Sequence, residues 1–123
     1  MAKRRRTRVS TGKEATVSWT GGECRGTLRD VSLKGAYVRL TNGLPPDRGR
    51  EVTLTIHLDP GAPEADVRVR ARTVRTESAG VALDFVEVPA DTFPHLFRLV
   101  QYNAPRPEEI EGEISEPAFD LGD

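Results

Sequence analysis

The chain has 123 residues, 37% of them hydrophobic and 30% charged, with a formal net charge of −1. That balance suits one compact domain with polar ends rather than a disordered chain, and no apolar run approaches the ~20 residues of a membrane-spanning helix. The basic N-terminus has no apolar stretch behind it, so it is not a secretory signal, and the expected location is cytoplasmic.

Residues 1–13 carry Lys3, Arg4, Arg5, Arg6, Arg8 and Lys13 without an acid. They read as a basic N-terminal arm with no apolar periodicity and with strong self-repulsion. From residue 15 the pattern has period two, the signature of half-buried strands. ATVSWT (15–20) alternates, Gly21 and Gly22 follow, and ECRGTLRDV (23–31) completes a hairpin. GAYVRLT (35–41) is the next strand, closed by the turn cluster NGLPPDRG. EVTLTIHL (51–58) sets Val52, Leu54, Ile56 and Leu58 against Thr53, Thr55 and His57. DVRVRARTV (66–74) turns Val67, Val69 and Ala71 inward and Arg68, Arg70 and Arg72 outward; with Arg75 these arginines fit an ordinary solvent face. GVALDFVEV (80–88) supplies Val81, Leu83 and Phe85.

Six strands with short Gly/Pro turns predict an antiparallel barrel or sandwich, and closure would remove the exposed edges of so small a sheet. The period then changes. Phe93, Leu96, Phe97 and Val100 fall at i, i+3, i+4 and i+7, predicting one short amphipathic helix with Asp91 as its N-cap. Beyond it, residues 104–123 hold seven acids against Arg106, a net of −6, and read as an acidic, disordered tail. With only two Tyr, four Phe and one Trp, the core must come mainly from Val and Leu.

The chemistry-bearing residues are few. The single cysteine, Cys24, has no CxxC or CxxH neighbour and sits in an alternating strand, so it reads as structural. His57 and His95 have no ligand-spaced partners. No catalytic residues, metal site or cofactor are expected. One stretch does stand out: Asp30, Ser32 and Gly35 form D-x-S-x-x-G at a strand junction. Asp and Ser side chains bond nearby backbone N–H groups and shape tight turns. Gly35 would permit a positive φ or a close backbone approach. Some twenty residues upstream, Arg4 and Arg8 make R-x-x-x-R.

These two motifs, in this order and separated by a hairpin's worth of strand, resemble the PilZ domain family, which binds the bacterial second messenger cyclic di-GMP. The resemblance spans roughly residues 3–102 and includes GVALDF (80–85) and the closing helix. It implies a mainly β fold, a six-stranded antiparallel PilZ-type β-barrel with a short C-terminal α-helix. On that reading residues 1–13 are the arm, 14–103 the barrel with its helix, and 104–123 the tail.

The resemblance also assigns roles. Arg4 and Arg8 would clamp phosphates or guanines, because a guanidinium pairs bidentately with either and stacks on a base; Arg5 and Arg6 lie within reach of a phosphate too. Asp30 would accept from guanine N1–H and N2–H₂, while Ser32 and the backbone near Gly35 would meet sugar or phosphate oxygens. Ligand binding would order the arm over the barrel, with Val9 as a hydrophobic latch, and relay the signal to an effector protein whose identity the sequence does not give. Two alternatives compete: a PilZ-like adaptor that docks a motility or signalling protein without nucleotide, and a nucleic-acid-binding module. The second is disfavoured because no aromatic platform interleaves with the basic residues.

Overall fold

The computed structural model describes residues 11–59 and 61–103. Six strands run in chain order: β1 (Glu14–Trp19), β2 (Gly22–Val31), β3 (Gly35–Asn42), β4 (Glu51–His57), β5 (Val67–Glu77) and β6 (Gly80–Glu87), followed by α1 (Phe93–Asn103). All neighbours pair antiparallel in the cyclic order β1-β2-β3-β6-β5-β4, and β1 pairs with β4 to close the barrel. The expected six-stranded barrel with one C-terminal helix is therefore the observed fold.

Period-two alternation builds the interior. Val17, Leu28, Val38, Leu54, Ile56, Val67, Val69 and Leu83 are all buried in one continuous core. The β1–β2 hairpin turns at Thr20 and Gly21, and Gly21 takes a φ of +102°, a conformation that favours glycine. Gly22 opens β2 one residue earlier than the alternation indicates, because it pairs with Trp19, whose ring lies where a Cβ at Gly22 would stand.

α1 contributes Leu96, Leu99 and Val100 to the same core, with Phe93 and Phe97 packed partly buried against it. An eleven-residue helix is marginal alone in water, so burial of these side chains, at about 1.5–3 kcal/mol for each fully buried one, holds it in place. Its start differs from expectation. The backbone N–H groups of Thr92 and Phe93 both donate to the Pro89 carbonyl, and the helical ladder opens with Leu96 N–H donating to Thr92 O at 3.2 Å. The capping position is therefore Thr92, and Asp91 sits one residue outside, inside a turn fixed by Pro89. No helix among the described residues is long and apolar enough to cross a membrane.

Pairing departs from regular register at four places, Arg25/Gly26 and Leu28/Asp30 between β2 and β3 and Arg70/Ala71 and Thr73/Arg75 between β5 and β6. Two of them shape the outer wall beside Asp30. Between the pairs Leu28↔Val38 and Asp30↔Tyr37, β2 carries one extra residue, Arg29. Between Thr73↔Leu83 and Arg75↔Ala82, β5 carries one extra residue, Val74. Each is a bulge, and a bulge re-aims side chains on its strand. β5 continues past the bulge to Glu77, three residues beyond the end that the alternation marks, because the inserted residue breaks the period-two count there.

Candidate ligand-binding face

The junction between β2 and β3 carries the D-x-S-x-x-G residues. Ser32 is buried, and its hydroxyl closes the turn: it accepts from the Lys34 and Gly35 N–H groups at 3.1 and 3.2 Å and donates to the Gly35 carbonyl at 3.4 Å. The Ser32 N–H also donates to that carbonyl at 2.8 Å. One donor and two lone pairs are all that a hydroxyl offers, so Ser32 here is a turn builder, with its hydroxyl directed inward.

Gly35 is not in the positive-φ region. It begins β3 opposite Asp84, and a Cβ would come within 2.5 Å of the Leu83 carbonyl oxygen. The glycine serves a close approach, as one of the two sequence readings has it, but the approaching group is the β6 backbone.

Asp30 stands at the end of β2 beside the Arg29 bulge. The Arg29 Nε donates to Asp30 Oδ2 at 3.1 Å. The Arg29 guanidinium also lies over the Tyr37 ring, 3.9 Å from its centroid, while Arg75 approaches the same ring at 5.8 Å. The Tyr37 hydroxyl donates to Glu77 Oε1 at 2.5 Å, and the Arg75 Nε donates to Glu77 Oε2 at 2.9 Å. The bond to Glu77 raises the Tyr37 pKa above its ordinary value, and burial adds to it. The same bond, helped by Arg75, lowers the pKa of Glu77. Gly80 makes room for this arrangement, since a Cβ there would overlap the phenol of Tyr37. Asp30, Arg29, Tyr37, Arg75 and Glu77 thus form one connected network on the outer wall of the barrel, with Tyr37 itself buried beneath its neighbours.

Arg4, Arg5 and Arg8 lie outside the described residues, as do Arg6, Val9 and the acidic tail from residue 104. The described chain enters at Thr11, whose hydroxyl donates to the Leu28 carbonyl at 3.2 Å. Gly12 N–H donates to the same carbonyl at 3.1 Å, and Leu28 N–H returns a bond to Lys13 O at 2.7 Å. The N-terminal segment is therefore fastened to β2 two residues before Asp30.

The arginines of β5 present a different picture. Arg68 is 3.7 Å from Asp66, Arg70 pairs with both Glu51 and Glu87, and Arg72 is 3.9 Å from Glu51. Each outward arginine of this strand has a carboxylate beside it, so they do not form a basic stripe. Cys24 is buried, and burial pushes its thiol up to about 11, with the Glu23 carboxylate adding to the shift. His57 has partners that its isolation in sequence does not suggest: Nε2 lies 3.0 Å from Thr16 Oγ1 and Nδ1 lies 3.2 Å from Asp66 Oδ2. These bonds tie β1 and β4 to the residue that precedes β5. No group of three or more His, Cys, Asp or Glu able to hold a metal ion occurs among the described residues.

Arg29, Tyr37, Arg75 and Glu77 are the residues of this face that motif reasoning misses. Alternation gives no warning of a bulge, so Arg29 reads as an ordinary outward residue. The one available signal is Gly80 at a strand start, where a large neighbour across the sheet needs space.

Comparison with known proteins gives a consistent result. The profile of the PilZ domain family matches residues 2–102. Among solved structures, the chain is similar to the PilZ domain with c-di-GMP of YcgR from Escherichia coli, at a TM-score of 0.65 and 15% identity, covering 94% of this chain and 99% of that one. It is similar to the PilZ domain of CeSA from a cellulose-synthesising bacterium, at a TM-score of 0.61 and 18% identity, covering 76% and 94%. It also resembles the Bacillus subtilis inhibitor of motility MotI/DgrA, at a TM-score of 0.63 and 19% identity, covering 94% of this chain. The chain spans about half the length of that protein, 53%. No curated protein matches the chain by sequence.

Proposed function

The chain belongs to the PilZ domain family, and from that premise we propose that it is a receptor for cyclic di-GMP that reports binding through its N-terminal arm to a protein partner. The observation that carries this reading is the anchorage of Thr11 and Gly12 on the Leu28 carbonyl, two residues before Asp30. Arg8 is three residues from that anchor, a span of at most about 10 Å, and Arg4 is seven, at most about 25 Å. The arm is long enough to bring R-x-x-x-R onto the face that carries Asp30. The YcgR PilZ domain, whose structure contains c-di-GMP, is a fold neighbour in keeping with this ligand.

In the mechanism, Asp30 accepts from the N1–H and N2–H₂ edge of one guanine, which distinguishes it from adenine. Arg4 and Arg8, with Arg5 beside them, bind phosphate oxygens and the second base through charge-assisted bonds. Backbone near Gly35 meets sugar or phosphate, while Ser32 contributes by holding the turn in shape. Each charge-assisted bond nets about 1.5–3 kcal/mol, and several together outweigh the cost of ordering the arm. Closure of residues 3–9 over the ligand creates a surface that the free protein lacks, and that surface is what an effector reads. The chemistry is binding, without bond making or breaking.

Calorimetric titration of cyclic di-GMP into the full chain tests this, with Arg8→Ala, Asp30→Ala and GTP as controls. Saturable binding that both substitutions abolish and that GTP does not reproduce is expected. No heat from cyclic di-GMP up to high micromolar concentration, together with no optical change, would overturn the reading.

A further inference from the structure

The outer wall beside Asp30 holds a feature that neither sequence motif includes. The bulge at Arg29 puts two adjacent residues, Arg29 and Asp30, away from the core, where regular alternation would turn one of them inward. Arg29 is held in place twice: by its Nε bond to Asp30 and by the Tyr37 ring beneath its guanidinium. Tyr37 is in turn fixed by Glu77, which Arg75 also holds. Yet the Arg29 side chain remains 49% exposed. A guanidinium has two flat faces. One lies on Tyr37, so what the side chain offers outward includes the other.

We propose that Arg29, stacked on Tyr37, is the floor on which a guanine of the ligand lies while Asp30 reads that base's edge. The assignment rests on the reading of this face as a guanine-dinucleotide site. A planar cation on an aromatic ring is an extended π platform, and purine bases stack well on arginine planes. A carboxylate accepts from several donors at once, so holding Arg29 and reading a base edge are compatible roles for one aspartate. Stacking and edge recognition are separable tasks. Arg29 supplies affinity without regard to which purine is present, and Asp30 supplies the preference for guanine. The platform is also preassembled, because its members bond one another before any ligand arrives, so this part of the site adds little ordering cost.

The test uses the full chain and two ligands, cyclic di-GMP and cyclic di-IMP, which lacks the N2 amine. Arg29→Ala and Arg29→Lys are each expected to weaken both ligands by about tenfold, the scale of one lost base stack, leaving the ratio between the ligands as in the wild type. Asp30→Ala is expected to collapse that ratio. Thermal unfolding of each variant confirms that the barrel is intact. Arg29→Lys within about twofold of wild type would make the charge, not the plane, the operative feature and overturn the proposal. Loss of the ligand ratio in Arg29→Ala would also overturn it, by showing that Arg29 acts only through Asp30. Binding undiminished in Arg29→Ala sinks this inference alone, whereas a wild-type protein that binds neither ligand sinks the receptor reading and this inference with it.

Discussion

Arginine occurs on two faces of the barrel wall in different company. Along β5, Arg68, Arg70 and Arg72 alternate outward, each beside a carboxylate from a neighbouring strand or from the residue that precedes β5: Glu51, Glu87 or Asp66. Across the bulged end of β2, Arg29 meets an aromatic ring and the motif aspartate. The first arrangement balances charge on an exposed surface, where ion pairs contribute little to stability. The second concentrates a planar cation, a carboxylate and a tyrosine where the chain's N-terminal segment is fastened. Outward arginines therefore mean different things on the two faces, and what separates them is the partner each one finds.

The contrast breaks first at Gly80. Gly80→Ala would place a Cβ into the phenol of Tyr37, and displacing the ring dismantles the platform. A loss of about 1–3 kcal/mol in unfolding free energy is expected from the overpacking, with weaker cyclic di-GMP binding, read by denaturant melts and calorimetry. Ser32→Ala comes next. It leaves two N–H groups of the turn without their acceptor, at about 1–3 kcal/mol for each buried group left unsatisfied. Affinity should fall along with stability, since the turn sets Asp30.

A smaller effect is expected from pH. Tyr37 has a raised pKa, so its contribution to stability is fully present below the ordinary tyrosine value and is lost as pH rises through the folded value. Glu77 has a lowered pKa, so its contribution is present above the ordinary carboxylate value and is lost as pH falls through the folded one. Tyr37→Phe should flatten both limbs of the stability–pH profile, and absorbance titration should lose the tyrosine step displaced above its ordinary value. Smallest of all is Arg72→Ala on the paired face, for which unchanged ligand affinity and a near-unchanged melting midpoint are expected. Cys24 provides a control for intact folding: buried and with its thiol pushed to about 11, it should resist alkylation at neutral pH until the barrel unfolds.

How much of this was legible beforehand follows from what periodicity encodes. Alternating Val, Leu and Ile residues marked all six strands, and the i, i+3, i+4, i+7 spacing of Phe93, Leu96, Phe97 and Val100 marked α1, because burial on one face imposes those periods directly. Asp30, Ser32 and Gly35 were visible as a turn, but not the division of labour among them. Whether a hydroxyl faces inward or toward a ligand depends on turn geometry that one sequence does not specify. Arg29, Tyr37, Arg75 and Glu77 were hidden for a related reason: the bulges at Arg29 and Val74 shift the register by one residue, and no propensity signals where they fall. The N-cap moved from Asp91 to Thr92 because the turn closed on Pro89 claims Asp91 for itself.

The central claim is that ligand recognition is confined to the face where β2 and β3 meet. Amide chemical-shift mapping of the full chain during titration with cyclic di-GMP tests it most directly. The largest perturbations are expected at Arg29–Tyr37, with further shifts at Arg75–Gly80 and Thr11–Lys13, and little change along Arg68–Arg72. Perturbations centred on the β5 arginines, with residues 29–37 unmoved, would contradict it.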